Sequence, residues 1–238
     1  MGNSSLVNYT KISPNRTSPR RDVIRKITIH HMAGNGSIEG VGNHFATAGP
    51  NVGSSNYGIS SDGRIAMYVE EKDAAWTSSS SLNDNQAVTI EVANDGGAPD
   101  WHVSDKALAA LIDLVTDICE RNDIEKLVYT DDAMGNLTRH NMFAATECPG
   151  PYLQSQLPRI AREVNKHLDP PFPVSVPSHW AQEAAEWAIK AGIVKGDGDP
   201  DGDGLVEYNW QTPVTFERMV TLLHQQHLAQ TGDGGAGK

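Results

Sequence analysis

The nine residues "IRKITIHHM" (24–32) decide how the rest of the chain is read. Ile27 and Ile29 alternate with polar neighbours in a β-branched run, the pattern of a strand with one apolar face. Two histidines end it, and successive strand side chains point to opposite faces. One of His30 and His31 can therefore serve a site on a given face while the other points away, and the pattern alone leaves the choice open.

Working outward, "SNYGISSDGRIAMYV" (55–69) reads as a hairpin turning at Asp62-Gly63, and "QAVTIEVAND" (86–95) as a further strand ending in turn residues. "SDKALAALIDLVTDICERND" (104–123) predicts a helix capped by Ser104, with Leu108, Leu111, Ile112, Val115 and Ile118 as its apolar stripe. Cys119 beside that stripe reads as a small core residue. Helices are also expected over 40–49 and 151–168. Strands interleaved with helices predict an α/β domain with a mixed central β-sheet flanked by helices.

The chain has 238 residues, 38% hydrophobic content and a formal charge of −11. That length holds one ordinary domain and a small second one. The acidic excess argues against a nucleic-acid partner, whose phosphates call for clustered Lys and Arg. No run approaches the roughly 18 apolar residues of a membrane span, so no membrane insertion is expected. The start, "MGNSSLVNYTKISPNRTSPRRD", has neither an apolar signal core nor a cleavage pattern, which leads to the expectation of synthesis in the bacterial cytoplasm without a signal peptide. Two cysteines are too few for a disulfide framework, and a bridge between Cys119 and Cys148 is not required. "LDPPFPVSVPS" (168–178) carries four prolines and marks a linker. The expected organisation is a domain over 1–169, a Pro-rich linker over 170–178, a small helical module over 179–230 and a disordered Gly-rich tail over 231–238.

Chemistry enters with "RHNMFAATECPG" (139–150), which places His140 and Cys148 on one short loop with a proline and a glycine fixing its exit. A catalytic zinc takes three protein ligands and keeps one open position, and imidazole nitrogen and thiolate are among its preferred donors. The third ligand would come from the histidine pair of the neighbouring strand. Glu91, the only acid in "VTIEVAN", faces either solvent or such a site.

In order and approximate spacing, "ITIHHMAG" (27–34), the 55–69 hairpin followed by "AAW" (74–76), "VTIEVAN" (88–94) and "TRHNMFAATECPGPYL" (138–153) resemble the zinc-dependent N-acetylmuramoyl-L-alanine amidases of type 2. That family includes phage endolysins and peptidoglycan recognition proteins, and the resemblance covers roughly residues 22–160. It implies Zn2+ held by His30, His140 and Cys148, with Glu91 as proton shuttle. Several relatives place a tyrosine at the start of the hairpin strand and a lysine two residues before the cysteine. Here those positions hold Ser55 and Thr146. The resemblance therefore makes Thr146 a donor to substrate or oxyanion, with a loop-stabilising hydroxyl as the alternative, and Trp76 either a cleft-wall platform for substrate or a packing residue; Tyr57, on the side of Ser55 by strand alternation, is either a substitute source of the phenol at the substrate or a core residue.

Beyond the linker, Ser178 heads a predicted helix with Trp180, Ala184, Trp187, Ala188 and Ala191, and a second helix carries Phe216, Met219, Val220, Leu222 and Leu223. The pattern resembles an S-layer-homology-type repeat, which implies wall binding and, since two short helices bury little surface, self-association. The loop "DGDPDGDGLVE" (197–207) invites a Ca2+ reading through Asp197, Asp199 and Asp201, but the acid needed at its twelfth position is one residue early, at Glu207. The expected function is hydrolysis of the amide between N-acetylmuramic acid and L-alanine of bacterial peptidoglycan by a phage or prophage endolysin that reaches the wall after release. The alternatives are a non-catalytic peptidoglycan-binding protein and a zinc peptidase of the stem peptide.

Overall fold

The structure is a computed structural model that describes residues 2–49 and 51–168, together with the isolated positions 187 and 190. The chain divides into two units, Met1–Asp169 and Pro170–Lys238. The expected linker, tail and Ca2+ loop, and the helical module apart from those two positions, lie outside the described residues.

In chain order the first unit contains β1 (Tyr9–Thr10), β2 (Arg16–Thr17), β3 (Lys26–His31), α1 (Ile38–Phe45), β4 (Tyr57–Ile59), β5 (Ile65–Met67), β6 (Ala74–Ala75), α2 (Ser81–Gln86), β7 (Ala87–Val92), α3 (Asp105–Arg121), β8 (Leu137–Arg139), a 3-10 turn (His140–Met142) and α4 (Pro151–Leu168). Six strands form a mixed sheet in the order β1-β5-β4-β7-β3-β8, and β2 pairs with β6 separately. Only the β4–β5 hairpin is antiparallel within the large sheet. Its turn holds Gly63 at φ +88°, and Asp62 Oδ1 accepts from the Arg64 amide at 3.1 Å. This is the hairpin expected from Asp62-Gly63.

Register divides the sheet into two chemically distinct faces. Ile29, Ile90 and Tyr57 stand in one row, and His30, Glu91 and Gly58 in the next. The first row points into the core, where Ile27, Ile29, Tyr57, Val88 and Ile90 pack with Leu108, Leu111, Leu114, Val115 and Ile118 of α3 and with Leu153, Leu157 and Ile160 of α4. The opposite face carries Thr28, Thr89 and Thr138, buried and partly cross-linked by a 2.9 Å contact between the Thr28 and Thr138 hydroxyls. Strand alternation thus separates an aliphatic face that anchors two helices from a polar face available for chemistry.

Two details depart from the expectations. The early helix spans Ile38–Phe45 rather than 40–49, because Ser37 caps it by accepting from the Gly40 amide at 3.1 Å. It stops because the side chains of Ser13 and Asn15 take the carbonyls of Phe45 and Thr47. In α3, Leu114 is buried and Ile112 only partly so, which turns the stripe slightly from the one expected. Cys119 is fully buried, and both cysteines are free.

Candidate metal centre

The ends of β3 and β7 and the loop after β8 converge on the polar face. His30 and Glu91 are register partners on adjacent parallel strands, so their side chains leave the sheet together. Glu91 Oε1 lies 3.9 Å from His30 Nδ1, and the Glu91 side chain is 16% exposed. The third strand, β8, runs directly into the turn that begins at His140. His140 meets His30 with ring centroids 4.5 Å apart. The loop then doubles back: the Asn141 amide donates to the Cys148 carbonyl at 3.1 Å, which sets the two loop residues side by side.

One ligating atom from each of His30, His140 and Cys148 lies within 4.8 Å of the other two. His30 Nδ1 and Cys148 Sγ are 3.7 Å apart. Donors about 2.0–2.3 Å from a tetrahedral ion stand at a separation close to this one. Two buried atoms beside the cluster, His140 Nε2 and Glu91 Oε2, have no hydrogen-bond partner among the described residues. Unpartnered buried polar atoms are costly, and a cation in their midst removes the cost.

Electrostatics point the same way. Burial first, then the neighbouring imidazoles of His140 and His31, hold His30 well below the ordinary histidine range. Burial also lowers His140, against the opposing field of Asp84. Both rings are thus neutral, with lone pairs free to ligate. Burial pushes the Cys148 thiol up to about 12, although the His31 amide, 3.4 Å from Sγ, favours the thiolate. Burial alone raises the Glu91 carboxyl to about 8. A dication converts a buried thiol to thiolate outright, so this donor set fits a metal better than it fits an empty polar pocket.

Two concavities adjoin the cluster and its ligand loop, and a third lies by β6 and α2. A cleft of about 370 Å³ is lined by Glu91, His31, Ser37, His44 and Phe45. Another of about 930 Å³ is lined by Thr146, Asn141, Glu147, Trp101, Tyr129 and Gln154. A third, of about 470 Å³, contains Trp76, Thr77, Asp84 and a run of serines.

Of the remaining sequence-derived residues, Trp76 is 43% exposed, and its indole N–H donates to Thr17 Oγ1 at 3.0 Å, so the ring is held as an open wall. Thr146 Oγ1 accepts from the Cys148 amide at 3.2 Å beside the cluster. Tyr57 is not brought to the site. Its side chain is fully buried on the opposite face, and its hydroxyl donates to Glu71 Oε1 at 2.6 Å and accepts from the Ser4 amide at 3.0 Å. Tyr57 shares a row with Ile29 and Ile90 rather than with His30, so of its two readings the core one holds and no phenol reaches the site from this residue. Sequence reasoning passed over Trp101, which stands against Gly150 at the exit of the ligand loop, and Asn94, whose side-chain amide holds the Trp101 carbonyl. Asn94 closes the stretch "VTIEVAN" but carries no ligating or proton-moving group, and Trp101 lies outside every stretch that resembles the family, so only the tertiary fold brings the two together.

The N-acetylmuramoyl-L-alanine amidase family matches residues 19–151. The S-layer homology domain matches residues 175–200. Among solved structures, the chain is similar to PlyL at 14% identity and a TM-score of 0.51, covering 66% of this chain and 96% of that one. It is similar to a selenomethionine derivative of AmpD at 16% identity and a TM-score of 0.52, with the same coverage. At such identities the likeness is one of fold. No curated protein matches the chain.

Proposed function

Because the chain belongs to the N-acetylmuramoyl-L-alanine amidase family, by a match over residues 19–151, and is a peptidoglycan amidase, we propose that it is a zinc enzyme with His30, His140 and Cys148 as its ligands and Glu91 as its proton shuttle. It cuts the amide between N-acetylmuramic acid and L-alanine. The observation that carries this reading is the convergence of two neutral imidazoles, one thiol and one buried carboxyl at the end of β3.

His30, His140 and Cys148 would hold the zinc, which when bound would supply Lewis acidity for the scissile carbonyl and a water whose pKa is lowered to about 7. The chain's own residues do the rest. Glu91, locked opposite His30 by the register, takes a proton from the attacking water and hands it to the leaving nitrogen, which must depart as an amine. The Thr146 oxygen is occupied by the Cys148 amide, which leaves its own O–H proton to donate to the carbonyl oxygen of the substrate. Trp76, pinned by Thr17, offers a face for the apolar side of a sugar ring.

A match to the S-layer homology domain in the same chain supports anchoring of the catalytic unit to the wall. A chain pairing a wall-cutting domain with a wall-binding element suits a phage or prophage endolysin, released to the wall at lysis. Mass spectrometry of digested peptidoglycan tests the reaction. The expected products are stem peptides with a free L-alanine amino terminus and glycan with intact lactyl groups. Products cut within the stem peptide would overturn the amidase assignment, and activity untouched by chelation would overturn zinc.

A further inference from the structure

The loop that carries two of the three ligand residues is held at its exit by groups that take no part in the chemistry above. Past Cys148 the chain turns at Gly150, whose φ is +82°. A Cβ there would come within 3.0 Å of Trp101 Cβ and 3.2 Å of His31 Nδ1. Glycine is thus required twice over, by its left-handed backbone and by close approach.

The Trp101 and His31 rings meet edge to face, with centroids 5.3 Å apart and planes at 88°. His31 also reaches the ligand sulfur, through its main-chain amide, 3.4 Å from Cys148 Sγ. One residue therefore touches the sulfur with its backbone and the loop exit with its ring, and Trp101 stands behind that ring.

Trp101 is itself a fixed platform. The Asn94 side-chain amide donates to its carbonyl at 2.7 Å, and its own amide donates to the Gly97 carbonyl at 2.9 Å. Asn94 is 1% exposed and continues directly from β7, the strand that carries Glu91. The backbone of Trp101 sits at φ +55°, a conformation a bulky residue adopts only where its surroundings hold it.

We propose that Trp101 is a positioning residue of the metal centre: wedged against His31 and Gly150, it fixes the exit of the ligand loop so that Cys148 Sγ is presented to His30 and His140. This inference rests on the zinc reading of those three residues. Its physical basis is that a metal ion tolerates only a few tenths of an ångström in donor placement. The eight-position step from His140 to Cys148 lacks regular structure beyond one short turn, so packing from outside the loop must define the sulfur's place.

The competing role for Trp101 is as wall of the 930 Å³ cleft alone, and that role affects substrate affinity rather than metal affinity. Zinc affinity of the full chain, measured by competition with a chromogenic chelator, separates the two. Trp101→Ala is expected to weaken zinc binding on the order of 10–100-fold, the range typical of outer supports of metal ligands. Trp101→Phe, which keeps an aromatic edge against His31, should recover most of the loss. Gly150→Ala should weaken binding as well, and the melting temperature of metal-free Trp101→Ala should match that of the metal-free parent. Zinc affinity unchanged in Trp101→Ala, with KM alone raised, would overturn the proposal while leaving the zinc reading intact. A parent chain that takes up no zinc would overturn the zinc reading itself.

Discussion

His30 Nδ1 and Cys148 Sγ stand 3.7 Å apart although 118 positions of chain separate them. The sheet makes this pairing: β8 lies beside β3 in parallel register, Ile29 opposite Arg139, so the turn that begins at His140 opens next to His30. Cobalt(II) in place of zinc tests the ligand set without reference to activity. A thiolate bound to cobalt gives a charge-transfer band, and a four-coordinate ion gives strong visible absorption. Both should appear on titration of the metal-free protein. Cys148→Ser should abolish the charge-transfer band, and His30→Ala should abolish stoichiometric uptake. A charge-transfer band that survives in Cys148→Ser would exclude that sulfur.

Glu91 is the register partner of His30, and among the described residues its carboxyl is the only one within 4 Å of a cluster histidine. Glu91→Gln keeps the shape and removes the proton traffic. Its kcat is expected to fall by about 10²–10⁴-fold, the usual contribution of a positioned acid or base. Cobalt spectra of the variant should match the parent. A variant with near-parental kcat would remove Glu91 from proton transfer.

Much of this was legible in the sequence because local pattern and chemistry coincided. The alternation in 24–32, the Asp62-Gly63 turn and the Ser104 cap each specify an element by short-range physics, and each element is present. His140 and Cys148 were singled out because few residue types ligate metals, while the choice of His30 over His31 and of Glu91 facing the site came from the family resemblance; the fold brings the four side chains together. Tyr57 stayed open between substrate and core for a physical reason: Ser55 and Tyr57 share a face by strand alternation, but which face holds the chemistry is set by the partners of the neighbouring strands. Those partners are Ile90 for Tyr57 and Glu91 for Gly58. Trp101 was invisible because its role depends on Gly150, across a fold that no local pattern describes.

Tyr57 therefore predicts a loss of stability with chemistry intact. Its hydroxyl bonds Glu71, a residue 1% exposed that also holds Arg121 at 2.7 Å and Asn122 at 3.2 Å. Tyr57→Phe leaves Glu71 short of one donor and the Ser4 amide short of its acceptor. Urea denaturation should show a loss of about 1–3 kcal/mol, the usual cost of unpaired buried groups. The activity of the folded variant should match the parent, and a selective loss of kcat would return Tyr57 to the site.

Asp84 gives a pH dependence of known sign. Burial raises its carboxyl above the ordinary value, against hydrogen bonds from Ser78 and Thr77. The folded state therefore holds this proton more tightly than the unfolded chain does. The resulting stability is complete below the unfolded value of 3.8 and is lost as pH rises through the raised one. Asp84→Asn has no such titration. The stability of the parent relative to this variant should decline as pH rises from about 4, measured by denaturation at a series of pH values. A difference that is flat or grows would contradict the assignment.

Gly58 lies opposite Glu91 on β4, and its missing side chain is filled by Tyr68. A Cβ at Gly58 would stand 2.5 Å from Tyr68 Cε2 and 2.9 Å from its hydroxyl oxygen. That ring cannot swing aside cheaply: it is fully buried, packs edge-on against Phe45 at 5.4 Å, and donates its hydroxyl to the Ile38 carbonyl at 2.8 Å. Gly58→Ala must therefore displace either Tyr68 or β4, and overpacking of this kind costs about 1–3 kcal/mol. Displacing Tyr68 also releases the first residue of α1, which walls the cleft that contains Glu91. The variant should accordingly lose stability and turnover together, whereas Gly58→Ala combined with Tyr68→Phe should recover little, because the clash is with the ring and not with the hydroxyl alone. Combination with Tyr68→Leu, which removes the aromatic edge, should recover more of the loss. Denaturation midpoints for the three variants decide it, and a Gly58→Ala protein as stable as the parent would mean that the ring does not sit on the strand.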